Sequence, residues 1–250
     1  NLSGSPKTRR HLLMFKYKWL TSLLYPGPAH RRISSNRFGQ RDATPEAIIE
    51  PLERRVLLVA TVSGHLTSDT VWDSSTQLYL VDGDITVDSG VTLTIQPGVE
   101  VRTDGGFNDI TVNGVLNATG VSFTGNETDI RVRNGGRMNL QGGSSVAGDR
   151  VSYESGSLGT ITNSTFSTAK LQLESGGVTV NSTSFSRVDP VDTNPSLVPQ
   201  LYDNTFVSTA TVHVSGTASS NATWQVIPNL ARYLVDGDIT VDSGVTLTIQ

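Results

Sequence analysis

The segment that decides the fold is Ile110-Thr111-Val112-Asn113-Gly114-Val115-Leu116-Asn117-Ala118-Thr119-Gly120-Val121-Ser122-Phe123. Apolar and polar residues alternate along it, and the alternation is interrupted near Gly114 and Gly120. A period of two places apolar side chains on one side of a strand. Glycine and asparagine tolerate the backbone of the turns between strands. The segment therefore predicts short strands joined by tight turns.

The same pattern returns about every 20 residues, as repeat proteins require. The first series is a set of apolar-x-apolar pairs: Ile110/Val112, Ile130/Val132, Val151/Tyr153, Leu171/Leu173 and Val212/Val214. The second series is a set of phenylalanines: Phe123, Phe166, Phe185 and Phe206. One strand cannot bury its apolar face alone, whereas coils stacked along one axis align equivalent residues into internal ladders. We therefore predict an all-β fold, a right-handed parallel β-helix.

Two further predictions concern the turns of this solenoid. An Asn precedes Phe in the segments that end at Phe166, Phe185 and Phe206, which suggests an asparagine stack in a turn. Residues 187–201 contain three prolines, which cannot feed a sheet ladder, and predict a loop excursion. A β-sandwich is the structural rival, because its strands also alternate. The recurrence near 20 residues favours the solenoid.

An unchanged internal copy sets the domain organisation. Residues 79–96 recur as residues 233–250, an offset of 154. We predict a basic arm at 1–60, a β-helix module at 66–215 and the start of a second module at 224–250. The chain is accordingly expected to be part of a longer array of modules.

Charge is divided unevenly between these parts, although the net charge is only -4. Residues 1–60 hold 11 Lys or Arg and 4 Asp or Glu, whereas the rest is strongly acidic. The arm is predicted to be disordered or partly helical and to serve export or sorting. It adjoins no folded reader or stacking aromatics, so we expect no nucleic-acid partner. No apolar run is long enough for a transmembrane span, and the absence of cysteine excludes disulfides and thiolate sites.

Two resemblances to known families follow from these residues. Leu52-Glu53-Arg54-Arg55-Val56-Leu57-Leu58 resembles the LEPR-XLL motif of exported and surface proteins of planctomycete bacteria, with Arg54 where the motif has Pro. Residues 79–101 resemble the entry coils of pectin-lyase-like right-handed β-helix proteins of bacterial surfaces. The first resemblance implies export to the cell surface. The second implies the fold, and it leaves function open because many activities share this scaffold.

Candidate site residues are few. Asp82, Asp84 and Asp88 offer turn carboxylates that suit calcium, although solvated surface carboxylates are the plainer interpretation. Arg131, Arg133 and Arg137 form a candidate face for an acidic glycan, or a charge ladder with Asp129 and Glu154. His213 should face outward, without a partner at readable spacing. No catalytic residue, cofactor or metal site is assigned.

The predicted function is that of a non-catalytic, exported or cell-surface repeat protein for structural display, adhesion or glycan contact. Its expected partner is an extracellular polysaccharide or a cell-surface component. The alternative is a β-helix polysaccharide lyase or glycoside hydrolase that acts on an extracellular glycan, because such enzymes share the scaffold and need clustered carboxylates.

Overall fold

The computed structural model describes residues 58–103, 105–125 and 129–250. This part of the chain is almost entirely β-structure, with one short 3₁₀ turn. In chain order the elements are β1 (Val59–Leu66), β2 (Thr70–Trp72), β3 (Leu78–Val87), β4 (Thr92–Ile95), β5 (Glu100–Thr103), β6 (Ile110–Val112), β7 (Val115–Thr119), β8 (Ser122–Thr124), β9 (Asp129–Val132), β10 (Arg137–Gln141), β11 (Ser145–Val146), β12 (Arg150–Tyr153), β13 (Leu158–Thr162), β14 (Thr165–Phe166), β15 (Lys170–Leu173), β16 (Val178–Asn181), β17 (Ser184–Phe185), β18 (Val191–Thr193), the 3₁₀ turn η1 (Val198–Leu201), β19 (Thr205–Phe206), β20 (Thr211–Ala218), β21 (Ala222–Trp224), β22 (Arg232–Val241) and β23 (Leu247–Ile249).

The strands stack in parallel as a β-solenoid of about nine turns, which confirms the predicted fold class. Each turn contributes to three faces of the solenoid. Face A contains the first halves of β1 and β3, then β5, β8, β11, β14, β17 and β19. Face B contains the second halves of β1 and β3, then β6, β9, β12, β15, β18 and the first half of β20. Face C contains β2, β4, β7, β10, β13 and β16.

Face B carries the first predicted ladder in the predicted register. Ile110 is opposite Ile130, which continues through Val151 and Leu171. The long step in the sequence series is filled by Val191, which lies between Leu171 and Val212. The second inward position of this turn, two residues after Val191, holds Thr193 instead of an apolar residue. The Thr193 hydroxyl is buried and donates a hydrogen bond of 3.0 Å to the Leu173 carbonyl, which explains why this turn is poorly marked.

Face A carries the phenylalanine ladder. Phe166, Phe185 and Phe206 are in register, and successive ring centroids are 5.1 Å apart. Val146 takes the place of a ring between Phe123 and Phe166. The predicted asparagine stack is wrong, because this register places the three Asn residues three, four and two positions before their Phe.

The proline-rich stretch does not leave the solenoid. β18 keeps its register on face B directly after Pro190. Only face C is altered, where η1 replaces a strand and begins beside Pro199. The predicted loop excursion is therefore confined to one face of one turn.

The solenoid begins earlier than position 66, the predicted module boundary. β1 begins at Val59 and pairs with β3 along both of its halves. The arm through residue 51 lies outside the described residues, and so do Leu52 to Leu57 of the sorting-type motif. Leu58 is described, and its carbonyl accepts the Leu78 N–H at 3.4 Å.

The second copy also begins earlier than its sequence identity suggests. Val212 pairs with Tyr233 as Ala60 pairs with Tyr79, so β20 is the counterpart of β1. Only the first half of the copied strand changes face at this point, because β21, the counterpart of β2, lies next to η1 in the face C position. β20 continues face B, yet it supports the first half of β22, which is the counterpart of the face A half of β3. The phenylalanine ladder of face A ends at Phe206.

Candidate functional site

The candidate site is an open groove along the corner between faces A and B, with a volume of about 600 Å³. The residues that enter it lie in the connections to face B or at the starts of its strands. They include Phe107, Asp109, Asp129, Arg131, Asp149 and Arg187. Because successive coils stack in register, groups separated by about 20 residues in the chain become neighbours. We call this feature the corner groove.

Arg131 organises the middle of the corner groove. Its guanidinium lies 3.1 Å from a carboxylate oxygen of Asp109 and 3.1 Å from one of Asp129. The second oxygen of Asp129 is buried and has no hydrogen-bond partner among the described residues. Arg187 donates a hydrogen bond of 2.9 Å to the Thr168 carbonyl at the other end.

Burial raises the pKa of Asp109. Arg131 opposes this shift, whereas the neighbouring carboxylates Asp129 and Asp84 add to it. Burial disfavours a charged carboxylate, and like charges do the same. The groove therefore contains one acid that holds its proton to a higher pH than a free aspartate does.

Phe107 gives the corner groove an apolar margin. Its side chain is large and apolar, yet the residue is 81% exposed. An exposed aromatic ring beside fixed polar groups is an arrangement that binds ligands with one apolar and one polar side.

The three predicted arginines do not form one face. Arg131 lies in the corner groove, whereas Arg133 pairs with Glu154 at 2.6 Å on the other side of face B. Arg137 begins β10 on face C and is exposed. Arg133 and Glu154 lie on adjacent coils, as a charge ladder between coils requires, whereas Arg131 contacts Asp129 within its own strand.

The three aspartates predicted for calcium are spread along β3 and its end. Asp82 and Asp84 are exposed in the bend between faces A and B. Asp88 follows the face B half of β3, about 13 Å of extended chain beyond Asp84, and contacts His65 at 2.9 Å. Asp84 accepts the Asp109 N–H at 2.9 Å. Within the described ranges, no group of three or more His, Cys, Asp or Glu side chains is arranged to hold a metal.

Sequence reasoning missed a carboxylate–imidazole–carboxylate cluster on face B. His213 contacts Asp236 at 2.5 Å and Asp189 at 3.2 Å. These partners are 23 and 24 residues away and become visible only once the coil register is known. The counterpart of His213 in the first copy is Thr61, so the cluster is specific to the junction of the copies.

Comparisons with protein-family models, curated proteins and solved structures gave no match to this chain. Among the residues that the structure describes, no helix combines the length and hydropathy needed to cross a bilayer.

Proposed function

We propose that this chain is a non-catalytic, exported protein of the cell surface that uses its solenoid to display the corner groove to an extracellular polysaccharide. One observation carries the proposal: an exposed aromatic ring, Phe107, lies beside charged groups at the starts of stacked strands and in the connections that precede them. Sugar rings have an apolar face and a rim of hydroxyl groups, so they match such a site. The duplicated entry coil also suits a spacer with several modules and a longer array.

The charge of the corner groove favours a neutral glycan. Asp109, Asp129 and Asp149 face Arg131 and Arg187, which leaves an excess of negative charge. An acidic glycan would be repelled by this excess, and Arg131 is already paired with two carboxylates. A neutral glycan can accept and donate hydrogen bonds without meeting that repulsion.

A glycan panel tests this proposal directly. Wild-type protein should bind neutral polysaccharides more tightly than uronate polymers, and Phe107→Ala should weaken binding about tenfold or more, within the range of aromatic hot spots. Val226→Ala is a matched control, because Val226 is equally exposed and lies outside the corner groove. Equal effects of the two changes would contradict the proposal.

The alternative function is that of a polysaccharide lyase or glycoside hydrolase. The raised pKa of Asp109 favours it, because a general acid must keep its proton near the working pH. Reducing-sugar and unsaturated-product assays separate the two functions. Clear turnover that is lost in Asp109→Asn or Arg131→Gln would establish the enzyme and overturn the non-catalytic proposal.

Export rests on the resemblance of the motif at Leu52 to Leu58 and is tested separately. A reporter should be fused after Leu58, because fusion after Val59 would cut into β1. We expect the reporter to leave the cytoplasm of a planctomycete host, and to stay there when Leu57 and Leu58 are changed to Asp. Cytoplasmic retention of both versions would contradict export through this motif.

A further inference from the structure

One charged side chain of the corner groove has no partner in the described part of the chain. Arg131 is paired with two carboxylates, and Arg187 donates a hydrogen bond to a backbone carbonyl. Asp149 is exposed, and its carboxylate makes no hydrogen bond or ion pair with any described residue. Its backbone is held by the next coil, because the Asp149 carbonyl accepts the Lys170 N–H at 2.9 Å. Asp149 therefore presents a free negative charge from a fixed position in the groove.

The coil register determines how far this charge lies from the aromatic margin of the groove. Phe107 lies in the connection that precedes β6, and Asp149 lies directly before β12. β9 lies between these two strands and pairs with both. The ring and the carboxylate therefore belong to coils that are two strand spacings apart, about 10 Å along the solenoid axis. A ligand that contacts both is longer than one sugar ring and runs along the groove.

A free carboxylate in a groove with an excess of negative charge favours a cationic group. Calcium takes about six to eight oxygen ligands, which is more than one carboxylate supplies. An ammonium group carries several N–H donors and forms a short, charge-assisted hydrogen bond with a single carboxylate. The group that suits Asp149 is therefore an ammonium on a larger molecule.

We propose that the corner groove binds a glycan containing an amino sugar, with one sugar packed on Phe107 and the ammonium group of a neighbouring hexosamine bound to Asp149. This inference rests on the proposed function and names the substrate class of the same groove. The other sugars of the chain are neutral, and the negative charge that repels uronates attracts the ammonium group. A sugar also covers the exposed ring with a flat apolar face, which a lysine side chain of a basic peptide lacks.

The test uses the complete 250-residue chain and three β-1,4-linked tetrasaccharides, built of glucose, N-acetylglucosamine or glucosamine. They differ only in the group at C2, which is a hydroxyl, an acetamide or an amine. At about pH 6 the amine is protonated and ordinary carboxylates are ionised. We expect calorimetry to show at least about tenfold tighter binding of the glucosamine tetramer than of the glucose tetramer, in the range of hydrogen bonds to charged groups.

Two matched variants locate the ammonium group. Asp149→Asn keeps the size of the side chain and removes its charge, so the ratio of the two affinities should fall to near one. Asp203→Asn changes the net charge by the same amount at an exposed residue outside the corner groove, so it should leave the ratio as in wild type. Equal falls in the two variants would show unspecific attraction to an acidic protein and would overturn the proposal.

A change of pH tests the charge of the ligand. The amine of glucosamine resembles an α-amino group, which is mostly neutral at about pH 9. The preference of wild type for the glucosamine tetramer should therefore disappear at that pH. A preference that persists there, or that survives Asp149→Asn at about pH 6, would overturn the proposal.

The remaining outcomes separate this inference from the proposed function. If all three tetramers bind equally and Phe107→Ala weakens each of them, the amino-sugar proposal fails and glycan binding by the groove stands. If none of them binds, both fail. Tighter binding of a lysine tetrapeptide than of the glucosamine tetramer would identify a basic peptide as the ligand and would also overturn the proposal.

Discussion

Single buried rings set the stability of face A. Phe185 is 1% exposed and lies between the rings of Phe166 and Phe206. Phe185→Ala removes both ring contacts and leaves a cavity, so we expect the free energy of unfolding to fall by about 3–5 kcal/mol. Urea denaturation followed by circular dichroism measures this change.

The matched control is Phe107→Ala, because Phe107 is largely exposed in the corner groove. This change should alter the free energy of unfolding by less than about 0.5 kcal/mol, as surface substitutions generally do. A comparable loss of stability in the two variants would contradict the assignment of the phenylalanine ladder to the core.

At the scale of elements, the β18–β20–β22 contact depends on the charge of His213. Burial opposes the imidazolium, but the hydrogen bonds that it donates to Asp236 and Asp189 outweigh this effect and raise the pKa of His213, with Lys170 nearby acting against them. The raised pKa in the folded state means that protonated His213 stabilises the fold at pH values below about 6.5. This contribution is lost as pH rises through the folded-state pKa. The same contact lowers the pKa of Asp236, so its contribution fades in acid.

We therefore expect His213→Gln to lower the melting temperature most near pH 5–6, between the ordinary carboxylate and imidazole pKa values, and least above about pH 8. Thermal melts across this range measure the difference from wild type. His65→Gln is the control, because His65 contacts Asp88 at an exposed site and exposed pairs contribute little. If the melting temperature of His213→Gln fell further below that of wild type as pH rises, the stabilising contact of His213 with two carboxylates would be contradicted.

The elements also show what the sequence could and could not predict. Face B was predictable because each apolar-x-apolar pair fills an equivalent inward position, as from Ile110 to Ile130. The position of η1 was not predictable, because prolines indicate that a strand is absent but do not indicate on which face it is absent. The corner groove was partly visible in Arg131 and Asp129, whereas Phe107 and Arg187 enter it through connections of unequal length. The neighbours of His213 required the coil register.

In the whole molecule, an identical sequence does not ensure an identical position around the solenoid. The copied sequence is unchanged, yet its first half lies on face A in the first copy and on face B in the second. Two extra residues between Trp224 and Tyr233, relative to the first copy, accompany this shift. Equivalent groups on the first half of the copied strand should therefore point in different directions around the solenoid axis in the two copies.

Engineered disulfides can test the parallel stacking of the coils, because the chain has no cysteine. Asn139 and Thr160 are in-register neighbours on face C, and Asn117 is one coil further away. Adjacent parallel strands are about 4.8 Å apart, which a disulfide can span, whereas two strand spacings exceed its limit of about 7 Å. We predict that Asn139→Cys with Thr160→Cys forms an intramolecular disulfide on oxidation and that Asn117→Cys with Thr160→Cys does not. Cross-linking of the second pair, or of neither pair, would contradict the parallel solenoid.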